Sequence, residues 1–539
     1  MRTNEENVEL ANLLFPDVTD TVDDIFSKYP KRNIPDEAMV LRFAPSPTGF
    51  MHIGNVYTGL ICTRLAKQSN GISILRIEDT DKEREVEKGV SMIVNGLRGF
   101  GVVFDEGMVD EEVGVGAYGP YIQSQRLEIY KVFAKQMVSK GLAYPCFLTL
   151  DELENIREEQ EKSSLRTGCY GKWAKWRDAS LSEIKERLEK KEKFVIRLYS
   201  TGNIENSFAM KDLVKGGVTL RENDMDAVLI KSDGFPTYHF AHPIDDTLMG
   251  ITHVIRGDEW FSSVPLHYEL FEKLDFKQLP YGHVSPLMKS EEGKKRKLSK
   301  RKDPEAAVSY YVERGYPKEG VLEYLLNIAN SNFYDWRVQN KERSLDEFRL
   351  RIEKFNNAGA LFDITKLNDI CKEYIATLSA EEVYERVLEW ALSFDTDTAK
   401  VLEENKDYCI KIFNIEREGS KVRKDMVKYQ DAKDLLSIFF NSTFAESEVE
   451  DISDRVDKNL QEKIVEEYTK IFDIADNLDM WFGKIKNLAE KLECKPGDVA
   501  MVLRVALTHR TKTPDLYQIV QVMGNNIVEE RLEAYAKSL

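Results

Sequence analysis

The sequence predicts an α/β protein whose parallel sheet is interrupted by an inserted domain and followed by an all-helical C-terminal region. Three observations predict this. A strand, a loop, a helix and a second strand follow one another between Met39 and Ile77, which is a βαβ unit. Strand-like text returns at Phe194–Leu198, Ala227–Lys231 and His253–Ile255 after a charged, helix-rich stretch, as if the sheet were left and resumed. From residue 376 to the end, helix patterns run with few glycines and prolines.

Each element has a local reason. Residues 1–36 form a polar extension with a short helix at Val8–Leu14. Met39–Phe43 reads as a buried strand and runs into Pro45, Pro47 and Gly49, which mark a loop. A helix pattern spans Gly54–Gln68, a turn falls at Asn70-Gly71, and Ile72–Ile77 is the next strand. Residues 124–140 are an amphipathic helix, and Asp151–Lys162 and Leu181–Lys191 are charged helices joined through Trp173 and Trp176. After about residue 285 the text becomes mostly helical, with Asn441–Asp451 as a linker. No internal repeat or low-complexity tract stands out.

Composition sets bounds. The chain has 539 residues, 42% hydrophobic and 31% charged, enough for several packed cores. The N-terminus has no basic segment leading into an apolar one, and no apolar run approaches a membrane span, so the cytoplasm is the expected location. Six cysteines stand singly, which points to reduced thiols. A net charge of −17 disfavours a nucleic-acid partner at first sight, but phosphate contacts need only a local basic surface.

Two strings carry chemistry. The first is Arg42-Phe-Ala-Pro-Ser46-Pro-Thr-Gly-Phe-Met-His52-Ile-Gly54-Asn55, at the hand-over from strand to helix. A helix N-terminus offers free backbone N–H groups and the positive end of the dipole, which suits phosphate. Gly54 would let a flat ring approach the backbone, and His52 would supply a donor near phosphates. A single histidine there is more often structural, but the whole string demands an explanation. The second is Lys297-Leu298-Ser299-Lys300-Arg301, in a loop that also carries Lys289, Lys294, Lys295, Arg296 and Lys302. In isolation such a run reads as a solvated loop.

Taken together and in this order, the strings resemble the HIGH and KMSKS motifs of class I aminoacyl-tRNA synthetases, and RFAPSPTG resembles the bacterial glutamyl type in particular. Asn55 stands where that family's first motif often ends in histidine. The resemblance implies a Rossmann-type catalytic domain (37–123 and 229–285) split by an acceptor-end binding domain (124–228). A stem-contact region with the KMSKS-type loop (286–375) and a helical anticodon-binding region (376–539) would follow. It implies activation of L-glutamate by ATP with Mg²⁺ to glutamyl-adenylate and pyrophosphate, with tRNA needed for that step, then transfer to the terminal 2′-OH of tRNA-Glu. Charging of tRNA-Gln stays open, and a monomer is the family default.

The resemblance also assigns residues. His52, Gly54, Asn55, Lys297, Ser299 and Lys300 would bind ATP, with His52, Lys297 and Lys300 catalytic. Lys297 and Lys300 would stabilise charge growing on the α-phosphate and pyrophosphate. The string Arg76-Ile-Glu78-Asp79-Thr80-Asp81 could bind a metal, cap a helix or bind an amine, and capping is favoured on its own. By resemblance Glu78 holds the substrate amino group and Asp81 lies near the tRNA end. Arg42 and Arg256, the latter in Val254-Ile-Arg-Gly-Asp-Glu-Trp260, would hold the carboxylates, with Ser46, Tyr238 and His242 shaping the pocket. His242 departs from the asparagine common there. Arg301 and Arg510 are further tRNA candidates, and His509 stands where a glycine is common. Many relatives carry zinc in the inserted domain. Here only Cys146 and Cys169 remain, too few for a structural site, so no structural zinc is expected.

Rival readings are weaker. A truncated relative that glutamylates a modified tRNA base would lack the helical C-terminal region. A glutaminyl enzyme would have a β-rich one. A non-catalytic paralogue would have no need of His52, Lys297 and Lys300.

Overall fold

The computed structural model describes residues 2–356, 359–419 and 422–539. The chain divides into two compact units, one of residues 1–309 with 325–362 and one of 310–324 with 363–539.

The N-terminal extension is two helices packed onto the first unit. α1 (Asn4–Leu14) begins earlier than its apolar text, because Thr3 and Glu6 form a reciprocal capping box. α2 (Val22–Lys28), which sequence reasoning missed, is started by the same device at Thr21 and Asp24. Phe26 meets Phe133 and Phe276 edge-on, and Arg32 reaches both oxygens of Glu106 at 2.8 Å while lying 3.7 Å over the ring of Tyr118.

The predicted βαβ unit follows. β1 (Val40–Phe43) is buried along its whole length and pairs in parallel with β2 (Ile72–Leu75) through α3 (Ile53–Gln68). The turn works because Asn70 is left-handed at φ 55° and Gly71 has no Cβ. A Cβ there would lie 2.0 Å from the Met39 carbonyl oxygen. After α4 (Gly89–Gly99), β3 (Glu106–Met108) extends the sheet in parallel and β4 (Gly114–Val115) closes its edge antiparallel.

α5 (Leu127–Ser139) leads into the insertion. There β5 (Ala143–Cys146), β6 (Val195–Leu198) and β9 (Val228–Ile230) form an antiparallel sheet. Capping boxes at Thr149/Glu152 and Ser180/Glu183 start α6 (Leu150–Lys162) and α7 (Leu181–Glu189). A hairpin of β7 (Ser207–Asp212) and β8 (Gly216–Arg221) was not foreseen, since its largely exposed residues give little apolar alternation. Cys146 and Cys169 are both buried.

The parallel arrangement then resumes, but of the three strand-like texts expected to carry it only His253–Ile255 does so. Phe194–Leu198 and Ala227–Lys231 became β6 and β9 of the insertion's antiparallel sheet, because strand-forming text does not say which sheet it joins. α8 (Tyr238–Leu248) precedes β10 (Val254–Gly257), α9 (Val264–Lys273) and β11 (Tyr281–Val284), with β10 and β11 parallel. Thr252 N–H donates to the Val40 carbonyl at 3.0 Å, which ties the second half to β1 across the insertion.

Two further expectations need correction. The basic segment expected as a loop is largely a hairpin of β12 (Leu287–Glu291) and β13 (Lys294–Lys297). Its two-residue turn puts Glu292 and Gly293 at φ 50° and 78°, and Glu-Gly is not the dipeptide that announces such a turn. The mostly helical text therefore begins later than residue 285. Nor is Asn441–Asp451 a loose linker in the second unit. Asn441–Phe444 is a short helix, and Phe444 is buried between His509, stacked at 3.9 Å, and Arg531, 3.6 Å over the ring. Glu450 also accepts from Thr511 N at 2.7 Å. His509 ends its helix left-handed, at φ 59°. A glycine takes that conformation without strain, and stacking on Phe444 offsets the cost for histidine.

Candidate active site

A cavity of about 400 Å³ opens where β1, α3, β10 and the β12–β13 hairpin converge. Its lining includes Arg42, Ser46, His52, Gly54, Asn55, Glu78, Tyr238, Arg256, Trp260, Lys297 and Leu298. Residues from both strings thus share one space.

At one end His52 caps α3. Its Nδ1 accepts from Gly54 N–H at 2.8 Å, so the proton sits on Nε2, which donates to the Leu298 carbonyl at 3.2 Å. The first string therefore touches the second directly. Burial holds the imidazole below its ordinary range, and the charges of Lys300 and Lys297 add to this. Gly54 has a further reason to be glycine, because a Cβ would lie 2.9 Å from His52 Nδ1.

The hairpin is fastened by one carboxylate. Buried Asp303 accepts from Arg296 at 2.6 and 2.8 Å, from Lys289 at 3.0 Å and from Ser299 N–H at 2.9 Å. Lys297 stays exposed, 3.5 Å from Glu259. Ser299 and Lys300 lie just beyond the cavity lining.

At the other end, fixed charges sit behind the cavity wall. Asp246 accepts from Arg42 Nε at 3.0 Å and from Arg76 Nη1 at 2.6 Å. Burial alone would raise its carboxyl, yet the two guanidinium groups hold it well below the usual carboxylate range. Arg76 also donates to Glu78 at 3.3 Å. His242 does not face the cavity. It is fully buried, with Nδ1 2.8 Å from Asp246 Oδ2 and Nε2 2.8 Å from the Tyr281 hydroxyl. Burial lowers it to about 3, so it is a neutral strut behind Arg42. Arg256 donates to the Tyr238 hydroxyl at 3.1 Å, beneath Trp260.

Burial pushes Glu78 up to about 7, against the pull of Arg76 and Arg42. Below that value the site holds a neutral acid, which cannot pair with an ammonium. If Glu78 receives the substrate amino group, the KM for that substrate should rise as pH falls from 8 to 6, approaching tenfold per unit below the pKa. Steady-state kinetics across that range checks this. A flat profile in wild type, or an unchanged slope in Glu78→Gln, would remove Glu78 from the role.

The remaining candidates lie elsewhere. Asp81 is on the surface paired with Arg84, and Arg301 is exposed. In the second unit, Arg510 lines a separate cavity of about 520 Å³ with Arg423 and Lys512. Sequence reasoning missed Asp246, His267 and His283, all fully buried. The adjacent Asp245-Asp246 pair, in a helix with no other Asp, Glu, Lys or Arg, was the available signal for the first. Nothing in the text marks the other two.

The parallel sheet, the histidine cap and the basic hairpin over one cavity form the arrangement expected of the class I synthetases. The comparisons with known proteins go further. The family model for class I tRNA synthetases (E and Q), catalytic domain, matches residues 38–369, and the anticodon binding domain model matches 382–536. A glutamate–tRNA ligase of Clostridium perfringens (strain SM101) is 45% identical, covering 98% of this chain and 99% of that protein. One from Clostridium beijerinckii is 46% identical, with 98% and 99% covered. A crystal structure of a glutamate tRNA ligase from Elizabethkingia meningosepticum, in complex with its amino acid, superposes with a TM-score of 0.78 at 29% identity, over 93% of this chain and all of that one. The chain belongs to the class I tRNA synthetases for glutamate and glutamine, among the glutamate–tRNA ligases.

Proposed function

We propose that the chain activates L-glutamate with ATP and transfers it to the 3′-terminal adenosine of tRNA-Glu. The observation that carries this is the single cavity joining the histidine-capped start of α3, the basic hairpin and a carboxylate–arginine wall.

ATP, entering as its Mg²⁺ complex, lies along His52, Gly54 and Asn55, with its phosphates toward Lys297, Ser299 and Lys300. Glutamate occupies the end lined by Arg42, Ser46, Glu78, Tyr238 and Arg256. Its α-carboxylate oxygen attacks the α-phosphorus, the bond to the bridging oxygen breaks, and pyrophosphate leaves. The protein contributes position and positive charge rather than a nucleophile. The terminal 2′-OH of the tRNA then attacks the acyl carbon and AMP departs. Asp81 and Arg301 serve the acceptor end. Arg510, beside Arg423 and Lys512, serves the anticodon arm as a phosphate or base donor.

ATP–pyrophosphate exchange with glutamate or glutamine, each with and without tRNA-Glu, tests the reading. Exchange that needs both glutamate and tRNA is the expected result. Folded protein that binds tRNA yet gives no exchange under any condition would sink it.

Among the described residues no helix is long and apolar enough to cross a membrane. We place the reaction in the cytoplasm and the enzyme as a monomer. We also infer that the inserted domain folds without zinc. Its Cys169 thiol donates to the Trp173 carbonyl at 3.8 Å, and Gln160 spans Gly168 with two hydrogen bonds of 2.8 and 2.9 Å. Elemental analysis of purified protein should find well under one zinc per chain, and a full equivalent would show this inference to be wrong.

A further inference from the structure

The two arginines of the cavity are held in different ways. Arg42 is met by a carboxylate, since its Nε donates to both oxygens of Asp246 at 3.2 and 3.0 Å. Arg256 is equally buried, yet no carboxylate lies within ion-pair distance of it among the described residues. Its Nε donates to His283 Nε2 at 3.0 Å. Its Nη1 reaches the Tyr238 hydroxyl at 3.1 Å and His267 Nδ1 at 3.0 Å, and its Nη2 donates to the Trp260 carbonyl at 3.1 Å.

A guanidinium can only donate, so both facing ring nitrogens must present lone pairs. This fixes the tautomers. His283 carries its proton on Nδ1, 2.6 Å from Asp212 Oδ2, and His267 carries its own on Nε2, 3.0 Å from His239 Nδ1. The ring proton of each of these two histidines then faces an acceptor. Burial lowers His267 and His283 alike, with the Arg256 charge acting in the same direction, so both rings are neutral at physiological pH. The carboxylate bonded to His283, Asp212, stands one imidazole removed from Arg256. An ion pair would anchor Arg256 as firmly, but it would also cancel the charge.

We propose that His267 and His283 are positioning residues that hold Arg256 through neutral acceptors, leaving its charge available to a substrate carboxylate, and that this makes an anionic side chain rather than its amide the preferred occupant. The proposal rests on the reading that Arg256 faces the substrate.

Three variants at His267 in the full-length enzyme separate geometry from charge. His267→Asn keeps an acceptor near the Nδ1 position, His267→Leu removes it, and His267→Asp adds a carboxylate. Exchange kinetics with tRNA present would give the KM for glutamate, glutamine and ATP, and thermal melting would monitor folding. His267→Asn should keep the glutamate KM within about threefold of wild type, while His267→Leu raises it roughly tenfold to a hundredfold with the ATP KM unchanged. His267→Asp should raise it at least as much and narrow the preference for glutamate over glutamine by about tenfold. His283→Gln and His283→Leu should repeat the first contrast.

Equal glutamate KM values for His267→Asn and His267→Leu, or a wild-type preference in His267→Asp, would overturn the proposal. If His267→Leu does not fold, the Asn–Asp comparison still decides. Arg256→Ala serves as the reference. If it leaves the glutamate KM unchanged, the reading of the pocket fails and the proposal falls with it. If it raises that KM while the His267 variants do not, only the proposal fails.

Discussion

Replacing Lys300 by alanine should lower the rate of adenylate formation by roughly 10² or more while leaving tRNA affinity nearly unchanged. Lys300 is exposed, and no carboxylate lies within ion-pair distance of it among the described residues. Two other basic residues of the segment are committed: Arg296 and Lys289 are bound to Asp303, and Lys289 also to Glu305. Those residues build the hairpin, whereas on the proposed reading Lys300 would swing onto phosphate. The charge it would meet grows as pyrophosphate departs, so the loss should fall on the rate at saturating ATP more than on ATP binding. Single-turnover adenylate formation and a filter-binding titration of tRNA separate the two. An unchanged rate, or equal losses of rate and tRNA binding, would refute the assignment.

Asp246→Asn should have the largest effect on stability. The substitution keeps size and shape but leaves Arg42 and Arg76 buried without their shared counter-charge, at 3% and 0% exposure. Breaking a buried ion pair from one side costs about 3–5 kcal/mol. Because the Asp246 pKa is depressed in the folded state, its contribution is present above the unfolded value of 3.8 and is lost as pH falls through the lower folded value. Wild type should therefore lose this stability in acid, and the variant should lack that part of the acid dependence. Urea unfolding at pH 7 and at about pH 3 and below, under the unfolded value, measures both. A variant within about 1 kcal/mol of wild type at neutral pH would show that Asp246 is not the counter-charge it is taken for here.

The sequence by itself determined whatever is written along the chain at short range. The βαβ unit was legible because apolar runs, Asn70-Gly71 and the proline-rich loop each specify local backbone. The interruption of the sheet was legible because strand text returns at His253–Ile255, whereas the assignment of Phe194–Leu198 and Ala227–Lys231 to a separate antiparallel sheet was not. His52 and the basic segment were legible because they sit in contiguous strings. Even the misread start of α1 was written locally, in Thr3 and Glu6.

Tertiary structure alone decided what depends on residues far apart in the chain. Asp246 meets Arg42 across some two hundred residues, and His283 reaches Arg256 from the neighbouring strand. Whether a histidine is a ligand or a neutral strut depends on burial and on which nitrogen meets a donor. Neither quantity exists until the sheet has closed around it. For that reason His242 looked like a pocket residue in the sequence and proved to be the support behind one, while His267 and His283 gave no sign at all.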